Sequence, residues 1–348
     1  MRAVEVAVHG GPEALALVER EDPVPLPGEV LIRNEYIGVN FVDLQHTAGR
    51  PYPTQVPFIP GTEAAGTVSH TPSATMSDAG VHHSPMPDWP IGQRVVHFGH
   101  TTGVYAELTA VPREFVVPVP DDVSLETAAA VMLTGTTAHV LTRVATQVTA
   151  GHTVVVHAGA GGTGWAVSAL AAAAGAHVVA IVSSPAKREA AASAGSISVV
   201  VGQGPELLGP VRAATGGRGA DFVFDAGGDT TLDLSVRLLA DFGTLVLYGQ
   251  SSGTGGLLDV GRLSGINGPD DAASTTVSWV AAGHYLASGT ARAAAAAAVF
   301  AEVAAGVLRP ASRPATRLPR RRPCHGRQGP AHPYAGAVRR FRRQGGPR

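Results

Sequence analysis

The middle of the chain alternates between short apolar runs and longer segments of helical period. Residues 154–157, 177–182, 197–201, 220–225, 243–249 and 275–280 read as strands rich in Val, Ile and Leu, with few polar positions inside them. Strands that are apolar on both sides belong to a sheet covered on both faces. Residues 185–194, 206–214 and 229–239 carry the helical period between them, with Gly or Pro at the junctions. Strands alternating with helices predict an α/β fold built on a doubly wound parallel sheet.

The first third has a different rhythm. Residues 2–8 and 14–19 alternate as short strands, 30–36 forms another, and 60–68 and 92–96 frame more, with Pro- and Gly-rich turns between them. This predicts a compact, mostly β domain. Residues 124–146 then turn helical. Ser124 can cap the helix, Glu126 sits in its first turn, and an apolar face runs over 128–132. The stretch Leu133-Thr134-Gly135-Thr136-Thr137 is expected to interrupt this helix before a second one begins. Between Val68 and Ile91 lies a polar insert with His70, His82 and His83. It has no Cys and no regular ligand spacing, so it reads as a solvated loop in preference to a metal site.

Composition narrows the class. A hydrophobic share of 45% with 15% charged residues over 348 positions is the balance of a soluble globular protein with about two domains. No apolar run approaches about 18 residues and the first residues lack signal-peptide character, which predicts a cytoplasmic protein with no membrane partner. The only cysteine, Cys324, excludes an internal disulfide framework and a Cys-rich zinc site. The net charge of −1 hides a break: residues 309–348 hold twelve Arg and no Asp, Glu or Lys, while residues 1–308 carry a net −13. A basic tail fits nucleic acid or an anionic membrane. A disordered tail and a reading-frame error are the other readings of it.

The candidate chemistry begins at TVVVHAGAGGTG. Gly159, Gly161 and Gly164 stand at G-x-G-x-x-G spacing after a strand and at the start of an Ala-rich helix. Absent side chains let the backbone turn sharply and approach a pyrophosphate at the helix N-terminus, which makes Gly159, Ala160, Gly161, Gly162, Thr163 and Gly164 a dinucleotide-binding turn. The next strand ends in Ser183-Ser184-Pro185-Ala186-Lys187-Arg188. A carboxylate there would bind the adenine ribose 2′-hydroxyl, and none is present. Ser183 and Ser184 offer donors to a 2′-phosphate, and Lys187, the only lysine in the chain, and Arg188 offer charge to it, which predicts NADPH over NADH.

Several ordered stretches, among them IGVNFVDLQHTAGR followed by PYP, PGTEAAGTV, LTGTTAHVL, HAGAGGTG, VFDAGG and GTLVLYGQSSG, resemble the zinc-free quinone oxidoreductase branch, which includes zeta-crystallin, of the medium-chain dehydrogenase/reductase superfamily. The resemblance runs from residue 1 to about 308. It implies a GroES-like catalytic domain at 1–122, a Rossmann NADPH-binding domain at 123–287, and a return to the catalytic domain at 288–348 with an atypical Arg/Pro-rich tail from about 309. It also implies an active site in the interdomain cleft and a homodimer. Where zinc-dependent relatives carry Gly-His-Glu flanked by ligands, this chain has Gly61-Thr62-Glu63 and no nearby Cys, so no metal is expected. The implied reaction is hydride delivery to a quinone or a conjugated enone. Asn40 would orient the acceptor or the cofactor amide, Tyr52 would donate to a developing enolate or quinol oxygen, and Thr134, Thr136, Gly227, Gly249 and Ser251 would touch the cofactor.

Three departures stand against the pattern. Gln45 replaces an aromatic residue that relatives place in the acceptor pocket, and no Tyr stands near Gly202. The third is the tail, which shows no helical or strand periodicity after Leu318-Pro319. A frame shift near 317–322 that removed the closing segment is the expectation. An enoyl reductase acting on a biosynthetic intermediate is the alternative function. A non-catalytic nucleotide- or nucleic-acid-binding protein is the second alternative, though a nucleic-acid partner is not the favoured reading.

Overall fold

The structure is a computed structural model that describes residues 1–72, 89–99, 102–266 and 272–309, together with the backbone of Ala337–Arg340. The chain folds into two compact units. Met1–Leu133 and Ser288–Phe300 belong to the first, and Thr134–Ala287 and Ala301–Arg309 to the second.

The first unit opens with strands β1 (Arg2–Val6), β2 (Leu15–Glu19) and β3 (Glu29–Val39), then helix α1 (Phe41–Ala48). Strands β4 (Glu63–His70), β5 (Arg94–Phe98), β6 (Leu108–Pro112) and β7 (Val116–Pro118) follow, and helix α2 (Leu125–His139) begins here. In the second unit β8 (Thr153–Val156), α3 (Gly162–Ala173), β9 (His177–Val182), α4 (Arg188–Ala192), β10 (Ser198–Val201) and α5 (Leu208–Ala214) alternate. They are followed by β11 (Ala220–Asp225), α6 (Asp229–Arg237), β12 (Leu239–Leu247), β13 (Thr276–Trp279) and the short α7 (Ala282–Tyr285). Helix α8 (Gly289–Ala304) and strand β14 (Ala337–Arg340) close the chain.

In the first unit β1 and β2 form an antiparallel pair, and the main sheet runs β14-β3-β4-β5-β7, with β6 also on β3. Alternation along β3 sends Val30 and Ile32 into a core with Val68, Val95, Val111 and Val116. Asn34 is the polar exception on that face. Its amide donates to the Ala106 carbonyl at 3.0 Å and the Thr109 hydroxyl at 2.9 Å, while its oxygen lies 3.0 Å from His97 Nε2.

The sheet of the second unit runs β10-β9-β8-β11-β12-β13, all parallel. Numbered within the unit this is 3-2-1-4-5-6, the doubly wound order, with its switch point between β8 and β11. All four residues of β8 are buried, as a strand covered on both faces requires. Val155, Val179, Val223 and Leu245 from the sheet meet Val211 of α5 and Leu232 and Val236 of α6 in one core.

Three sequence expectations are corrected. The stretch from Leu133 to Thr137 does not break the helix: α2 continues to His139, and the irregularity follows as a π-helical turn at Val140–Ala145. Gly135 and Thr136 are buried, so packing holds weak helix formers in place. The Thr146 hydroxyl donates to the Leu141 carbonyl at 2.7 Å within the widened turn. Strand β12 begins at Leu239, in residues assigned to a helix and turn. Finally, the tail holds a strand where no periodicity was read. β14 pairs antiparallel with Tyr36–Val39 of β3, on the side where β6 pairs with Glu29–Arg33. A strand of four residues is specified by the free edge it joins more than by its own pattern. His82, His83, Cys324 and the proposed frame-shift point at 317–322 lie outside the described residues.

Candidate functional site

Strand β8 delivers the chain to a turn that only small residues allow. Ala158 adopts φ 52°, the Gly159 N–H donates to the Ile181 carbonyl at 3.0 Å, and the Gly161 N–H donates to the Ala158 carbonyl at 2.7 Å. Gly161 caps α3, and Gly162, Thr163 and Gly164 form its first turn. A Cβ on Gly159 would stand 2.7 Å from the Ala180 Cβ, and one on Gly164 would stand 2.4 Å from the Ala158 carbonyl oxygen. The first-turn N–H groups have no intrahelical acceptor and form the positive end of the helix dipole. The turn therefore presents donors to an anion at the switch point of the sheet.

The end of β9 lies beside it. Lys187 Nζ donates to Ser183 Oγ at 2.7 Å, which brings two of the predicted 2′-phosphate ligands together. Ser184 caps the short turn that carries Lys187. Arg188 does not join them, because its guanidinium donates to the Val199 carbonyl at 2.7 Å.

The loops after β11 and β12 are laced to each other. The Tyr248, Ser251 and Ser252 N–H groups donate to the carbonyls of Asp225, Ala226 and Gly227 at 3.0, 2.9 and 3.0 Å. Gly227, Gly249 and Ser251 are thereby gathered at the carboxyl end of the sheet. Thr134 is half-buried, whereas Thr136 has no accessible surface. Both lie in α2.

Sequence reasoning missed a buried network beneath these loops. His157 Nε2 lies 2.9 Å from Ser235 Oγ, which donates to Asp225 Oδ2 at 2.7 Å, and Asp225 Oδ1 accepts from the Gly227 N–H at 2.6 Å and the Thr231 hydroxyl at 2.8 Å. Burial pushes the His157 pKa down, so the neutral ring donates through Nε2. The serine spends its proton on the carboxylate, so this is a structural brace between the glycine turn and the Gly227 loop. Burial and the Asp225 charge push the Tyr248 hydroxyl up. His157 and Asp225 fall in stretches that carry the resemblance, but His157, Ser235 and Asp225 come from separate parts of the chain at unrelated spacings, and no sequence signal joins them.

In the first unit Asn40 caps α1. Its backbone N–H donates to Asp43 Oδ2 at 2.8 Å and its amide Nδ2 donates to Glu63 Oε1 at 2.7 Å. Asp43 also accepts from the Tyr105 hydroxyl at 2.8 Å and the Thr62 hydroxyl at 3.1 Å. Burial raises Asp43 to about 6 against the pull of these donors, and burial together with the Asp43 charge raises Glu63 to about 8. Tyr52 lies in the loop after α1, its ring edge-on to His46 with centroids 5.9 Å apart. Gln45 is carried on α1. Among the described residues there is no cluster of three His, Cys, Asp or Glu with metal-ligand geometry.

A mostly β unit and a doubly wound parallel unit with a glycine turn define a nucleotide-binding dehydrogenase of the two-domain kind. Residues 26–121 match the family described as alcohol dehydrogenase GroES-like domain, and residues 162–267 match the one described as zinc-binding dehydrogenase. The chain is 36% identical over 250 residues to a probable quinone oxidoreductase of Schizosaccharomyces pombe, covering 72% of each protein. It is 32% identical over 292 residues to a 2-haloacrylate reductase of a Burkholderia species, covering 82% of this chain and 83% of that one. Among solved structures, a mycobacterial protein complexed with NADPH superposes with a TM-score of 0.79 at 36% identity, covering 90% of this chain and 91% of that one. Escherichia coli quinone oxidoreductase complexed with NADPH also gives 0.79, at 28% identity, covering 88% and 89%. The chain belongs to the quinone oxidoreductase branch of the medium-chain dehydrogenase/reductase superfamily.

Proposed function

We propose that the protein is an NADPH-dependent oxidoreductase that reduces quinones or similar conjugated carbonyl acceptors. The observation that carries this is the glycine turn at the switch point together with the Ser183–Lys187 pair, in a chain of this family. The residues fit the cofactor. A Cβ on Gly159 or Gly164 would collide with Ala180 or with the Ala158 carbonyl, so the glycines keep the turn tight, and the N–H groups of the first turn of α3 would hold the pyrophosphate. Lys187, Ser183 and Ser184 would hold the 2′-phosphate, and Gly227, Gly249 and Ser251 would border the nicotinamide half. When bound, NADPH supplies the hydride. Asn40 orients the acceptor or the cofactor amide, and Tyr52 donates a hydrogen bond to the acceptor oxygen as it gains charge. Thr134, half-buried in α2, would touch the cofactor, and Thr136 one residue beyond Gly135 is fully buried in the same helix. Glu63 spends both oxygens on Asn40 and Leu133, and Thr62 stands where zinc enzymes place a histidine, so the donor set favours chemistry without a metal.

NADPH oxidation followed at 340 nm with 1,2- and 1,4-quinones and a panel of enones tests the reading. Turnover of quinones is expected. Turnover of enones alone would move the assignment to an enoyl reductase, the reading favoured by the polar Gln45, and turnover of neither would overturn both. The proposal also takes the chain as a cytoplasmic homodimer, and sedimentation equilibrium checks the dimer.

A further inference from the structure

Glu63 is a buried carboxyl facing two donors. It opens β4 and is 2% exposed. Oε1 accepts from Asn40 Nδ2 at 2.7 Å, and Oε2 accepts from the Leu133 N–H at 2.7 Å. A Cβ on Gly38 would stand 2.3 Å from Oε1, so the glycine on β3 makes the room that the carboxyl fills. Only a group with two acceptor oxygens serves both donors. A glutamine amide would turn an N–H toward one of them.

We propose that Glu63 is a positioning residue that fixes the orientation of the Asn40 carboxamide, and that it does so best as the carboxylate. This rests on the reading that Asn40 orients the acceptor or the cofactor amide. Asn40 is fixed through its backbone N–H, which donates to Asp43, through its side-chain Nδ2, which donates to Glu63, and through the capping box in which its side chain faces the Asp43 N–H, so the carboxamide is held in one defined pose. Leu133 is the last residue of the first unit before α2 continues to Thr134 and Thr136. One carboxyl thus ties the cap of α1 to Leu133 of α2 within the first unit.

Ionisation changes the strength of the hold. A carboxylate accepts two charge-assisted hydrogen bonds, whereas the neutral acid carries a proton of its own into a ring of donors. The charged group facing it is Asp43 on α1, itself bound to Tyr105 and Thr62. Leu133 on α2 and Gly38 on β3 face it with backbone atoms. Burial and Asp43 place its titration at about 8, within reach of an activity profile.

The test uses the full chain, the variants Glu63→Gln and Asn40→Ala, thermal melts, and steady-state NADPH oxidation with a quinone between about pH 6 and 9. It adds 15N spectra of the Asn40 carboxamide, assigned by its loss in Asn40→Ala. Glu63→Gln is expected to fold and to lower kcat roughly ten- to hundred-fold, with the KM for NADPH changed less than about threefold. It should also lose the rise in kcat that the wild type shows through the Glu63 titration, and its carboxamide signal should become indifferent to pH. A folded Glu63→Gln with the kcat and pH profile of the wild type overturns the proposal, as does a wild-type carboxamide signal that ignores pH. If Glu63→Gln does not fold, Asn40→Ala decides: with Glu63 intact it must lack the pH-dependent rise. If the wild type reduces no acceptor, the functional reading alone fails, and the carboxamide titration still decides this inference.

Discussion

Lys187 stands at the end of β9 with its ammonium 2.7 Å from Ser183, and the guanidinium next to it is turned away to the Val199 carbonyl. The charge available to a 2′-phosphate therefore rests on Lys187. A hydrogen bond between charged groups contributes about 1.5–3 kcal/mol, so Lys187→Ala is expected to weaken NADPH binding roughly ten- to hundred-fold while NADH binding stays unchanged. Fluorescence titration with both nucleotides reads this directly. Equal losses for the two would mean that Lys187 does not recognise the phosphate. The pair was legible in the sequence because it lies within five residues of one strand end. Arg188 was not separable from Lys187 there, since the direction of a side chain depends on which neighbouring strand offers a carbonyl.

At the scale of elements, the strand-turn-helix of β8 and α3 is held by close approach. The clash at Gly164 is with backbone, which cannot swing aside. Gly164→Ala is expected to cost about 1–3 kcal/mol in denaturant unfolding and to weaken NADPH binding. Gly283 in α7 has nothing within 4 Å of a built Cβ, so Gly283→Ala should be neutral or stabilise by up to about 1 kcal/mol. Equal behaviour of the two variants would show that space at the turn is not what selects glycine. The motif was readable because its spacing is local. The continuity of α2 and the brace of His157, Ser235 and Asp225 were not, because burial decides the first and the register of three separate stretches decides the second.

At the scale of the whole molecule, buried titratable groups couple stability to pH. Asp43 and Glu63 are raised in the folded chain, to about 6 and about 8, so the stability each contributes is fully present below the ordinary carboxylate range and is lost as pH rises through those values. His157 is lowered and acts in the opposite sense: its contribution is present above the ordinary histidine range and is lost as pH falls through the lowered value. Urea unfolding at pH 5, 7 and 9 should therefore show the wild type losing stability relative to Glu63→Gln from the ordinary carboxylate range up to about 8, most of it between pH 5 and 7, with little further loss above that. Parallel curves for the two proteins would mean that Glu63 is not buried as described. The parallel unit, its glycine turn and its cation at the second strand end were determined by sequence alone, because each is written in contiguous residues whose period and spacing are local. The mostly β character of the first unit was legible from alternation in the same way. Tertiary structure alone decided the remainder. The tail strand β14 exists by virtue of an edge on β3, and Glu63 became the partner of Asn40 and Leu133 through three elements brought together from residues 40, 63 and 133. Local patterns fix which backbone forms. The packing of distant segments fixes which buried groups meet and what those meetings do to their charge.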